Sequence, residues 1–197
     1  MRLVCLTGGI ASGKTTVGRV FAEMGAHMEN ADELAKSLAA TPQIRKALTE
    51  ALGRSFYTQA GELKRLELAA YIFHHPEALQ KVNSLIHPRV IAELNRRYEH
   101  IKDIHGCFVV ETALAVGTGY ADTFEVVIAV AASRAERLRR LVDMGEFSPD
   151  QAAARMAAQL PQEEIIKRAD YIMENDGSIE ELEEKARALY EELCKDE

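Results

Sequence analysis

Residues 8–15 read Gly8-Gly9-Ile10-Ala11-Ser12-Gly13-Lys14-Thr15, a full match to the phosphate-binding pattern G-x-x-x-x-G-K-[ST], directly after the apolar run Leu3-Val4-Cys5-Leu6. An amphipathic helix is expected next, with Val17, Val20, Phe21 and Met24 on one face. Between a buried strand and a helix, a glycine-rich turn lets successive backbone N–H groups point into one concavity, where phosphate oxygens replace water as acceptors. The expected nucleotide contacts are Gly9, Ala11, Ser12, Gly13, Lys14, Thr15 and Thr16. Lys14 is expected to reach the β- and γ-phosphates, and the Thr15 hydroxyl to hold Mg²⁺. The strand-loop-helix setting favours this reading over a turn that merely caps a helix.

A chain of 197 residues can bury one good core and a small appended subdomain. Its net charge of −7 disfavours nucleic acid and anionic membranes as partners, so any polyanion must meet a local basic cluster. The three cysteines, Cys5, Cys107 and Cys194, form no C-x-x-C pair and fit a reducing compartment. The six histidines show no zinc spacing, and His74-His75, followed by Pro76, read as the solvated end of a helix. Neither a membrane-spanning stretch nor a leader is recognisable, and the expected address is the cytoplasm. A monomer or small homo-oligomer is expected.

Strands are predicted at Arg2 to Leu6, Ala26 to Glu29, Cys107 to Glu111, Val126 to Ala131 and Tyr171 to Met173, with mostly helical sequence between them. Such alternation predicts an α/β chain: a three-layer α/β/α fold around a five-stranded parallel sheet. About seventy residues separate the second and third strands, far more than one crossover helix needs. A helical insertion over 31–104 is expected there, with helices at Ala31 to Ala40, Pro42 to Leu52, Leu63 to Phe73 and Glu77 to about Ile101. It either holds a second substrate or only covers the sheet. The single domain then comprises a core (1–30, 105–132 and 169–197), this insertion, and a helical lid over 133–168.

In the lid, helices are expected over Ser133 to Met144, Ser148 to Leu160 and Glu163 to Arg168, with Ser133 and Ser148 as N-caps. Arg134, Arg137, Arg139 and Arg140 cluster on the first of these, and Arg155 stands four residues before Gln159. Such a cluster is either a solvated face or a source of cations for a transferring phosphoryl group. The acid-rich segment from Ser178 to Glu197 carries Ile179, Leu182, Ala186, Leu189, Tyr190 and Leu193 on one side, which is expected to pack on the sheet.

Phosphoryl transfer to an alcohol also needs a carboxylate near the acceptor hydroxyl. Asp32, just past the second strand at the carboxyl edge of the sheet, is the candidate, although a first-turn Asp also stabilises a helix dipole. Glu111 ends the run Phe108-Val109-Val110, where a carboxylate can help organise the metal or its water. The guanine-reading N-K-x-D motif of switch GTPases is absent.

Taken together, LTGGIASGKT, ADELA at Asp32, HPRV at His87 to Val90, ARMAAQ ending at Gln159 before Leu160-Pro161, and ADYIMENDGS resemble the dephospho-coenzyme A kinases in order and spacing. The resemblance implies ATP-dependent phosphorylation of the ribose 3′-hydroxyl of dephospho-coenzyme A. By the same resemblance Asp32 is the general base, Lys14 the phosphate-binding lysine, and the insertion the coenzyme A domain with His87 near the acceptor. Arg140 and Arg155 belong to the lid, and Asn175 lies beside the adenine. Ala11 stands where the family usually has Gly, and Asn30-Ala31-Asp32 where it often has D-x-D. Ala113 and Gly117 replace a proline and a glutamate, and Met144 an arginine. These departures leave two alternatives in view: a kinase of the same fold acting on another nucleotide-like alcohol, and a nucleotide-binding regulator without transferase activity.

Overall fold

The computed structural model describes residues 1–112, 120–145 and 147–195. Five parallel strands, β1 (Arg2–Thr7), β2 (His27–Asn30), β3 (Cys107–Glu111), β4 (Val126–Ala131) and β5 (Tyr171–Glu174), form one sheet in the order β2-β3-β1-β4-β5. The three inner strands are buried almost throughout, which explains their unbroken apolar runs, while the edge strands are more open: β2 is exposed or half-buried at every position, and Met173 is the one buried residue of β5. Because every strand runs the same way, the residues at their carboxyl ends gather along one edge: Thr7, Asn30, Glu111, Ala131 and Glu174.

Nine helices accompany the strands among the described residues: α1 (Lys14–Glu23), α2 (Ala31–Ala39), α3 (Pro42–Leu52), α4 (Arg65–His74), α5 (Pro76–Ile101), α6 (Arg134–Asp143), α7 (Pro149–Ala157), α8 (Gln162–Ile166) and α9 (Ile179–Lys195). The chain divides into two compact units, residues 1–30 with 100–197, and residues 31–99.

In the first unit, Val17, Val20 and Phe21 of α1 and Leu182, Ala186, Leu189, Tyr190 and Leu193 of α9 pack with Val4, Leu6, Val109, Ile128 and Val130 of the strands. Cys5 and Cys107 are buried free thiols of β1 and β3, and Cys194 on α9 is half-buried. Ile179 departs from the expected apolar face of α9. It is 63% exposed, because as the first residue of the helix it stands at the rim of a pocket rather than over the sheet.

The second unit has its own core of Ile44, Leu48, Phe56, Leu68 and Val82. Tyr57 pairs with Leu63 across a single bridge and donates its hydroxyl to the Ala39 carbonyl at 2.9 Å. Pro88 lies inside α5 and cannot donate to the carbonyl four residues before it. The solvated histidine pair is half right: His74 is exposed, but His75 is half-buried, stacked on Tyr71 at 4.1 Å with its Nδ1 2.8 Å from the Tyr71 carbonyl. No helix among the described residues is long and apolar enough to cross a membrane.

Candidate active site

The loop after β1 is bent by three left-handed or near-left-handed residues, Gly8 (φ 147°), Ala11 (φ 59°) and Gly13 (φ 107°). Gly13 is the N-cap of α1, and no side chain among the described residues caps that terminus. The first N–H groups of the helix therefore face the concavity of the loop, as an anion site requires. Within the loop Ser12 N–H donates to Gly9 O at 3.2 Å, and Lys14 Nζ folds back to Gly8 O and Gly9 O at 2.9 and 3.0 Å.

Asn175 follows β5 and is only 6% exposed. Its N–H donates to Ala131 O at 2.8 Å, which holds it to the end of β4, and its Nδ2 donates to Ser12 O at 2.7 Å. A Cβ on Gly13 would overlap that Nδ2, so glycine here serves close approach as well as conformation. Arg140 reaches in from α6, donating through Nη1 to Ala11 O at 3.3 Å and through Nη2 to Asn175 O at 2.8 Å. Asn175 and Arg140 thus clamp the loop to the end of β5.

Beside this clamp lies a pocket of about 800 Å³, lined by the loop from Ile10 to Thr16, by Arg140, Met144 and Phe147, and by Asn175 and Ile179. Met144, at the position where the resembled family usually carries an arginine, is 64% exposed on its wall. Apolar Met144, Phe147 and Ile179 give this end of the pocket a surface on which a flat base can rest.

Of the arginine cluster, Arg139 is a solvated-face residue, paired at 2.8 Å with both Glu136 and Asp143, and Arg134 is exposed. Arg137 and Arg140 face the loop. Arg155 does not reach it; its guanidinium lies 4.3 Å from the centre of the Phe147 ring. Two residues outside the expected site also touch the loop. Gln159 Oε1 accepts from Ile10 N–H at 2.8 Å, and the Arg137 guanidinium lies against Gly9.

Glu111 ends β3 in register with Leu6 and Asn30, and its Oε2 lies 4.0 Å from where a Cβ on Gly18 of α1 would stand. Thr15 is exposed and lines the pocket. Its hydroxyl suits Mg²⁺, which is held in such loops by a hydroxyl, water and phosphate oxygens rather than by a protein cage. Ser12 belongs to the pocket wall, and its Oγ is buried without a hydrogen-bond partner among the described residues. Asp176, next to Asn175, accepts from Ser133 N–H at 2.7 Å, and hydrogen bonds from Ser133 hold its carboxyl below the usual range.

Asp32 and His87 belong to the second unit. Asp32 is an exposed first-turn residue of α2, two positions past the end of β2. His87 is half-buried in α5, and burial lowers its pKa below that of a free imidazole. Ala113 and Gly117 lie outside the described residues.

The sequence profile described as CoaE, dephospho-CoA kinase, matches residues 2–181. The chain belongs to the dephospho-CoA kinase family. A dephospho-CoA kinase of Chlorobium luteolum is 36% identical over 197 residues, covering 97% of this chain and 90% of that one. A crystal structure from Thermus thermophilus is 30% identical and superposes with a TM-score of 0.81, covering 98% of this chain and 97% of its own. A dephospho-CoA kinase from Campylobacter jejuni, 22% identical with a TM-score of 0.74 over 98% of this chain and 97% of its own, shares the fold. The protein is therefore a kinase, a transferase of coenzyme A synthesis with the α/β fold expected from its sequence.

Proposed function

We propose that this kinase transfers the γ-phosphoryl group of ATP to the ribose 3′-hydroxyl of dephospho-coenzyme A, releasing ADP and coenzyme A. The observation that carries the reading is the clamped loop, with Lys14, Asn175 and Arg140 around one pocket, in a chain that matches the family from residue 2 to 181. The β-phosphate rests on the N–H groups opening α1, Lys14 moves from the loop carbonyls to the β- and γ-oxygens, and the base lies toward Phe147 and Ile179. The Asp32 carboxylate takes the proton of the acceptor hydroxyl as its oxygen attacks the γ-phosphorus. The bond to the β–γ bridging oxygen breaks and ADP leaves. Thr15 would hold Mg²⁺, which would neutralise charge on the phosphate oxygens, and Glu111 would order water beside it.

The helical insertion, with His87, is the acceptor side, and Arg140 and Arg155 are lid residues. A monomer or small oligomer in the cytoplasm, with no nucleic-acid partner, completes the proposal. The test mixes the protein with Mg-ATP and dephospho-coenzyme A and looks for the 3′-phosphorylated product. A folded, ATP-binding protein that makes none overturns the reading. Asp32→Asn is expected to lower kcat by on the order of a hundredfold or more while ATP affinity is retained.

A further inference from the structure

Two cationic side chains meet at one end of the phosphate loop. Lys14 Nζ lies on the carbonyls of Gly8 and Gly9, and the Arg137 guanidinium lies so close to Gly9 that a Cβ there would overlap its Nη1. The opposite end, with Asn175, Arg140 and Phe147, lines the pocket described above. A nucleotide whose base lies toward Phe147 therefore presents its terminal phosphate to the Gly8-Gly9 turn, where Arg137 stands.

Of the other arginines of the region, Arg134 is exposed to solvent and the rest are engaged. Arg140 donates to Ala11 O and Asn175 O, Arg139 is paired with Glu136 and Asp143, and Arg155 rests on Phe147. Arg137 is different: its Nε is buried without a hydrogen-bond partner among the described residues. Burial lowers its pKa against the partial support of Glu163, with Arg134 adding to the lowering. An arginine still keeps its charge at neutral pH, so the cost of desolvation is offset only by an anion. Gln159 bears on the same turn from just beyond α7, accepting from Ile10 N–H at 2.8 Å.

We propose that Arg137 is the cation of the lid region that bears on the γ-phosphoryl group during transfer, with Gln159 as a positioning residue for the turn it faces. The inference rests on the kinase reading above and adds a residue to it. Charge spreads over the equatorial oxygens of the transferring group in the transition state, and a fixed guanidinium with open donors stabilises that charge more than the ground state.

The test compares wild type, Arg137→Ala and Arg137→Lys. Arg137→Ala is expected to lower kcat by roughly 10²–10³ while the Kd for ATP moves by less than about threefold and Tm is unchanged. Guanidinium ion at millimolar concentration should restore part of the lost rate in Arg137→Ala and leave wild type unaffected. Arg137→Lys keeps the charge but lacks the planar fork, and should remain well below wild type. Trapping of ADP by Mg²⁺ and aluminium fluoride, read by nucleotide retention on the protein, should be lost in Arg137→Ala while ADP affinity stays. Turnover within about threefold of wild type, ATP affinity falling in step with kcat, or equal trapping by both proteins or by neither overturns the proposal. Because the trapping needs no dephospho-coenzyme A, it scores Arg137 even if wild type fails to phosphorylate that acceptor.

Discussion

Ala11 is, among the described residues, the one non-glycine with a positive φ, at 59°. An L-residue there carries a steric cost of about 1–2 kcal/mol that glycine avoids, partly offset by the freedom glycine adds to the unfolded chain. Ala11→Gly, the residue usual in the family, is therefore expected to stabilise the protein by about 1 kcal/mol. Differential scanning calorimetry should show Tm rising by roughly 2–4 °C. The strain is held in place by Arg140, which donates to the Ala11 carbonyl. At this scale the sequence was legible where chemistry comes with a fixed spacing. Gly8 to Thr15 announced the cradle, but composition alone did not say which of Arg134, Arg137, Arg139 and Arg140 bear on the loop. That choice is made by the rotation of α6, which buries Leu141 one position past Arg140 and four past Arg137. A helix face at i, i+3 and i+4 was the available signal.

The elements followed their local chemistry closely. Ser133 and Ser148 are the N-caps of α6 and α7 as expected, and Ser148 forms a full capping box, with Gln151 N–H donating to its Oγ at 3.3 Å and Ser148 N–H to Gln151 Oε1 at 3.0 Å. Ser148→Ala is expected to cost about 1 kcal/mol of helix stability and to speed amide hydrogen exchange in the first turn of α7, measured by mass spectrometry. The expected helix to Leu160 stops instead at Ala157, ahead of Pro161, which disfavours helical backbone in the residue before it. That early stop is what sets Gln159 outside the helix and on the loop. Strand ends shifted by a residue at both edge and inner strands: β1 and β5 each reach one residue past the expected Leu6 and Met173, and β2 runs one residue later than Ala26 to Glu29. The edge strands β2 and β5 lack the unbroken apolar run that marks β1, β3 and β4.

The whole molecule has two independent stores of buried apolar surface, one around the sheet and one among the helices of residues 31–99. Leu48 sits in the second, 2% exposed among Ile44, Phe56, Leu68 and Val82. Leu48→Ala is expected to cost about 2–5 kcal/mol in denaturant unfolding, while the Kd for ATP is expected to stay at the wild-type value. The separate core of residues 31–99 was not legible in the sequence, because the apolar residues that meet there are scattered over nearly forty positions.

The central strand also holds a thiol. Burial pushes Cys5 up to about 12, so at neutral pH it has almost no thiolate and no route to a reagent, whereas Cys194 is half-buried on α9. Covalent capture of Cys5, and of Cys107 buried in the neighbouring strand β3, can proceed only while the sheet is open. The chain thus contains its own clock for that opening, ticking over a background set by Cys194.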